Sequence, residues 1–210
     1  MKLKYFNLFF LLCLAYLSVG IITQELLKTE VLLAETLLEQ FTRDQVLQVV
    51  QFNRKWEWTI YLLLPLVMLL KIAIIAKIID VGIFFIYKQV DYAKLFSAVL
   101  KAEFIFLLAP IAKLVWFYYF QTDFTIDDLQ KFYPLSLINI TGYRYLEPWY
   151  IYPLQAFNFF EVLYWLLLSF QLKKLLDLNF NKSFTIVMSS YGVTLLIWII
   201  TVMFFTLNMS

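Results

Sequence analysis

Five long runs of apolar residues, none of them alternating with polar positions, constrain this chain more than any other feature. In lipid every backbone N–H and C=O must be bonded within the protein, so an unalternated run of roughly 20 apolar residues spans as a helix. The runs predict spans at about 5–22, 58–79, 102–120, 151–172 and 184–207. Aromatic residues flank several of them, with Trp56 and Trp58 before the second and Trp149 and Tyr150 before the fourth, as expected where rings sit at the headgroup level. The rest of the composition agrees. A chain that is 63% hydrophobic, 20% aromatic and only 15% charged, with a mean hydropathy of +0.78, is not a soluble domain. The predicted fold is all-α, a polytopic bundle of five transmembrane helices in one membrane domain over 1–210.

Charge placement sets the expected orientation. Lys2, Lys4, Lys77, Lys88, Lys94, Lys101, Lys173, Lys174 and Lys182 fall on one side of that arrangement. Lys28, Arg43, Arg54, Lys55, Lys131 and Arg144 fall on the other, together with most of the acids. The more basic side is expected to be cytoplasmic, which puts the N-terminus in and the C-terminus out. The first run follows Lys2 and Lys4 and ends near Ser18-Val19-Gly20, the make-up of a secretory signal, and is read as an uncleaved anchor. Many lysines and few arginines, with abundant Phe, Tyr, Ile and Asn, are the usage of a low-GC genome. The expected location is therefore a bacterial inner (plasma) membrane.

Two outer segments are more than connections. Over 24–55 the apolar positions Leu33, Leu37 and Phe41 are offset from Glu25, Glu30, Glu35 and Glu39, an amphipathic helical pattern. Thr42 followed by Gln45 has capping-box spacing, so a second helix starts there and the segment forms a helical hairpin. The loop 121–150 carries the same signal at Thr125 and Asp128, then an aromatic stretch with Tyr143, Tyr145, Trp149 and Tyr150. That stretch suits an interfacial belt or a docking surface. On the inner side, Tyr92, Leu95, Phe96 and Val99 share a face opposite Lys94 and Lys101, which predicts a basic interfacial helix leading into the third span.

Chemistry, if any, should sit at membrane depth. A charge at mid-bilayer costs on the order of 3 kcal/mol on insertion scales, so Lys71, Glu103, Lys113 and Glu161 each need a partner or water. At about 1.5 Å rise per residue, Lys113 and Glu161 lie nearly level, and Lys71 and Lys77 bracket Glu103. The expected pairs are thus Lys113 with Glu161 and Glu103 with Lys71 or Lys77. Pro65 and Pro110 lie at comparable depth and predict kinks that could open a hydrated cavity beside those pairs. There is no histidine, and the single cysteine, Cys13, lies inside the first run. Histidine triads and His/Cys metal sites are therefore excluded, and no phosphate-cradling glycine loop is visible. Asp127-Asp128 suits a helix start better than a metal.

No catalytic residue, metal or cofactor is expected, and a formal charge of +2 gives no reason to expect nucleic acid. The functional expectation is a non-enzymatic integral subunit or scaffold of a larger membrane complex. It would dock a membrane-protein partner, or a second copy of itself, through Leu33, Leu37, Phe41, Trp149 and Tyr150. The alternative is a small secondary transporter or ion pathway that uses the intramembrane Glu and Lys residues.

Overall fold

The computed structural model describes residues 2–85, 90–142 and 146–209, with side chains from Phe6 onward. Lys88, Tyr143, Arg144 and Tyr145, and the side chains of Lys2 and Lys4, lie outside the described residues. The described chain is helical. Its elements are α1 (Lys2–Leu26), α2 (Thr29–Leu38), α3 (Arg43–Trp56), α4 (Trp58–Phe84), α5 (Tyr92–Glu103), α6 (Leu108–Tyr119), α7 (Ile126–Lys131), α8 (Ile138–Thr141), α9 (Pro148–Ala156), α10 (Phe159–Leu176), α11 (Phe180–Val187) and α12 (Val193–Met209).

Among the described residues four stretches are long and apolar enough to cross a membrane: Phe6–Leu26, Trp58–Phe84, Tyr92–Tyr119 and Phe180–Met209. The apolar surface they leave open makes the case for lipid. Along α4 only Met68, Ile72, Ile75, Ala76, Ile79 and Ile83 are buried, a stripe at three- and four-residue spacing. Ile60, Leu62, Leu66, Val67, Leu70 and Phe84 face outward, which water would not tolerate and acyl chains would.

Two of these stretches are interrupted without ending. Between α5 and α6 the chain tightens into a 3-10 turn at Phe104–Leu107, where the Leu108 N–H donates to the Ile105 carbonyl. Pro110, two residues on, offers no N–H to the Phe106 carbonyl and crowds it, which favours the tighter turn just upstream. The basic segment expected at the interface is therefore not a separate surface helix. Leu95, Ala98, Val99, Leu100 and Ala102 of α5 are buried, packed against α4 and α10. Between α11 and α12 the chain widens into a π turn at Met188–Gly192. Pro65 sits inside an unbroken α4.

The fourth expected span differs most. Residues 151–172 do not form one helix; the chain breaks at Phe157–Asn158 into α9 and α10. A single side chain closes one helix and opens the next. Asn158 Nδ2 donates to the Gln155 carbonyl (2.9 Å) and the Ala156 carbonyl (3.0 Å), while its Oδ1 accepts the Glu161 N–H (2.9 Å). The backbone groups freed by the break find partners in an extended segment of the preceding loop. The Leu137 N–H donates to the Phe157 carbonyl (3.1 Å) and the Phe159 N–H to the Leu135 carbonyl (3.0 Å), a short antiparallel bridge. In sequence the break was hidden by its apolar surroundings.

The main core joins Leu12 and Cys13 of α1 with the α4 stripe, Leu95, Val99 and Leu100 of α5, Tyr164, Leu168 and Leu172 of α10, Ile186 and Val187 of α11, and Tyr191. A smaller cluster of Leu27, Phe117, Leu129 and Phe132 ties the ends of α1 and α6 to α7. Gly82 of α4 meets the π turn so closely that a β-carbon there would lie 2.6 Å from Ser190 Cβ. That contact requires glycine.

Candidate functional site: a carboxylate at a helix break

Glu161 occupies the first turn of α10, three residues after its Asn158 cap, and is 9% exposed. The positive end of the α10 dipole lies at its carboxylate. Two further donors fall on the same oxygen: the Tyr191 hydroxyl, from the π turn, and the Trp165 indole N–H, one turn along α10, each 2.8 Å from Oε1. The π turn therefore has a visible consequence, because it carries Tyr191 into the core at the level of Glu161. Tyr164 lies beside them, with its ring 5.3 Å from that of Tyr191 and 4.7 Å from that of Phe106.

Glu161 also lines a cavity of about 1270 Å³. Its walls come from α6 (Ala112, Trp116), the loop 132–142 and the α9–α10 junction, with Leu195 of α12 behind. The lining is largely apolar. Ser136, Asn139, Asn158 and Glu161 are the main polar exceptions near the break. Trp116 is fixed in the wall by stacking on Phe132 (ring centroids 5.5 Å apart) and by donating from its indole N–H to Gln121 Oε1 (3.1 Å).

The loop that pairs with the break is itself organised. Ser136 Oγ and Asn139 Nδ2 donate to the Tyr133 carbonyl at 2.6 and 2.7 Å. Burial, with the nearby Glu161 carboxylate, pushes the Tyr133 phenol up to about 12, so it stays protonated at physiological pH. Leu135 has φ +54°, a left-handed conformation that costs a leucine free energy, and its carbonyl is the one that accepts the Phe159 N–H. The strained residue lines the cavity.

The expected ion pairs separate into those present and those absent. Lys71 Nζ pairs with Glu103 Oε1 and lies 4.4 Å from the Phe106 ring centroid. Lys77 pairs with Asp80 (2.8 Å), one turn along its own helix, not with Glu103. Lys113 and Glu161 do not pair. Lys113, although half-buried, has no ion-pair or hydrogen-bond partner among the described residues. Nor does the cavity lie where Pro65 and Pro110 predicted it, beside the ion pairs. Pro110 is only two residues from its wall at Ala112, and the opening follows from the break at Asn158.

Asp127 and Asp128 act locally. Asp128 Oδ2 accepts the Thr125 N–H (2.9 Å) while its own N–H donates to Thr125 Oγ1 (3.2 Å), and Asp127 pairs with Lys131 (2.8 Å). Of the expected docking residues, Leu33 and Leu37 are half-buried along α2 and Phe41 is exposed beyond its end. Trp149 and Tyr150 lie against each other at a tilt of 30° in the first turn of α9, with ring centroids 3.6 Å apart. Trp165 was not expected as a site residue, whereas Asn158 and Tyr191, polar residues inside apolar runs, were expected either to line a cavity or to bond between helices. The spacing of Asn158 and Glu161, a cap residue and an acid three positions on, was the available signal for the cap.

No protein-family model matches this chain, and no curated protein or solved structure matches it.

Proposed function

We propose that this chain is a non-enzymatic multi-pass membrane protein that binds a membrane-soluble ligand in the cavity at the α9–α10 break. The observation that carries this reading is the conjunction of a broken helix, a nine-tenths buried carboxylate and a large, mostly apolar cavity at one place. Irregular backbone at membrane depth is tolerated only where protein or a cavity covers it, and substrate sites of membrane carriers are commonly built on such interruptions. Its volume exceeds the roughly 300–1000 Å³ of ordinary small-molecule sites, enough for a drug-sized body or an acyl chain. In this reading α9 and α10 together make a fifth, interrupted crossing, with the N-terminus cytoplasmic, the C-terminus outside and the plasma membrane as location. A periplasm-active reporter fused after Met209 should be active and one fused after Lys174 inactive.

The ligand reading is tested by native mass spectrometry of the protein in mild detergent. Wild type should retain a low-mass compound, and Val162→Trp, which fills the cavity, should release it. Equal retention by both would sink the proposal.

A complex-subunit role is the second reading, and α2 and α3 favour it. No residue of α2 is buried, and α3 buries only Val46 while exposing Leu47, Val49, Phe52 and Trp56. The pair is held together by Arg54 to Glu30 (2.7 Å) and leaves an apolar face without a partner. Purification of a stoichiometric larger assembly, lost on Leu47→Glu with Phe52→Glu, would support it; a clean monomer would count against it.

A further inference from the structure

We propose that the cavity ligand is a hydrophobic organic cation, an alkylammonium carrying at least one N–H, whose head meets Glu161. This rests on the ligand reading above and assigns its chemical class. Among the described residues the side-chain donors to Glu161, Tyr191 and Trp165, both fall on Oε1, and Oε2 is left for whatever fills the cavity that Glu161 lines. Among the described lining residues there is no lysine or arginine, and Lys113 does not reach the carboxylate. A carboxylate oxygen that opens on a mostly apolar cavity without a hydrogen-bond partner is costly, and a ligand bringing both a positive charge and an N–H removes that cost. A neutral or anionic ligand does not.

The walls suit the rest of such a molecule. Trp116, Trp165, Phe132 and Phe159 line the space, so an ammonium entering it exchanges water for aromatic faces that attract cations and for apolar surface that takes the hydrocarbon body. Leu135, Ile140 and Phe159 are exposed at the rim, which opens the cavity toward the surroundings of the bundle and so toward the lipid phase where such cations accumulate.

Three probes with one body separate the possibilities: 4-phenylbutylammonium, 4-phenylbutanol and 4-phenylbutyrate. They are titrated at neutral pH into the full chain in lipid nanodiscs, with empty nanodiscs as the partition control. The ammonium should bind at least about tenfold more tightly than the alcohol or the acid, the factor that 1.4 kcal/mol sets. Glu161→Gln keeps the shape of the side chain and an oxygen for Tyr191 and Trp165. It should remove the advantage of the ammonium while leaving alcohol binding within about twofold, and that residual binding shows in the same sample that the variant is folded. Arg144→Gln should leave ammonium affinity within about twofold; a tenfold gain would identify Arg144 as the resident counter-ion of Glu161 and overturn the inference. Equal binding of ammonium and alcohol, insensitive to Glu161→Gln but lost in Val162→Trp, would overturn the cation while leaving the cavity reading standing. Binding of none of the three above the partition control would overturn both.

Discussion

Glu103 and Glu161 are the same residue type, both at least nine-tenths buried in a helical bundle, and they differ in what satisfies them and in what they open on. Glu103 ends α5 in the packed interior, faces Lys71 of α4, keeps its second oxygen, Oε2, buried without a hydrogen-bond partner, and is not among the residues lining the Glu161 cavity. Glu161 begins α10 at a break, forms no ion pair among the described residues and opens on about 1270 Å³ of mostly apolar space. A closed pair fixes the register of two helices. A carboxylate held by neutral donors and opening on a cavity is, on the proposed reading, arranged for something that arrives. Buried ionisable residues in a membrane protein thus divide by what satisfies them, and burial alone does not tell the two roles apart.

The largest effect should come from opening the closed pair. Lys71→Met leaves the Glu103 carboxylate buried without a cation and should cost about 3 kcal/mol of stability. Removing both charges with Lys71→Met and Glu103→Leu should recover most of that, as read by unfolding in mixed micelles of dodecyl sulfate. A double variant no better than the single one would mean that the pair is not the closed structural contact described here. Next in size is Gly82→Ala, whose new methyl group collides with Ser190 Cβ and should cost roughly 2 kcal/mol through overpacking. Ser190→Ala should not relieve it, because the offending β-carbon remains, whereas Ser190→Gly should. The second result also reports on Glu161, since Ser190 and Tyr191 share the π turn.

How much of this was legible depends on which coordinate each feature needs. Helix existence needed only the apolar runs, and the reciprocal cap of Thr125 and Asp128 needed only local spacing. The depth arithmetic placed Lys71 near Glu103, and the structure has that pair. The same arithmetic placed Lys113 level with Glu161 and misled, because rise along a helix gives height and says nothing about the face on which a side chain lies. Lys77 shows the complementary error. An acid on its own helix, Asp80, is nearer than any across the bundle. The break at Asn158 was readable in principle from Asn158 and Glu161, yet asparagine inside an apolar run is as easily taken for an interhelical hydrogen-bonding residue. The π turn had the weakest signal, a Ser189-Ser190-Tyr191-Gly192 run of modest helix formers, and its extra residue is set by tertiary packing rather than local preference.

A smaller effect tests whether the break is what makes the second region different. Asn158→Ala removes the acceptor for the Glu161 N–H and the donor that closes α9, and should cost about 1 kcal/mol, the usual loss of a helix cap. Its more telling consequence should be on the cavity. With the cap gone, α9 and α10 are free to fuse toward a continuous helix, so ligand retention should fall further than stability. Retention unchanged beside a stability loss would show that the bridge from Leu135 and Leu137 holds the break open without Asn158.

The smallest expected value is the sharpest test of the contrast. In a double-mutant cycle, residues that share no contact couple by no more than about 0.5 kcal/mol, whereas contacting charged pairs exceed that. Lys113 and Glu161 form no ion pair in the structure, so Lys113→Met and Glu161→Gln should be additive within that limit, while Lys71→Met and Glu103→Gln should couple well above it. Both cycles can be read in the same unfolding assay. Coupling of Lys113 to Glu161 as strong as that of Lys71 to Glu103 would mean that the lysine reaches the carboxylate in the membrane. The cavity would then contain its own cation, Glu161 would become a second closed pair like Glu103, and the distinction between the two carboxylates would collapse.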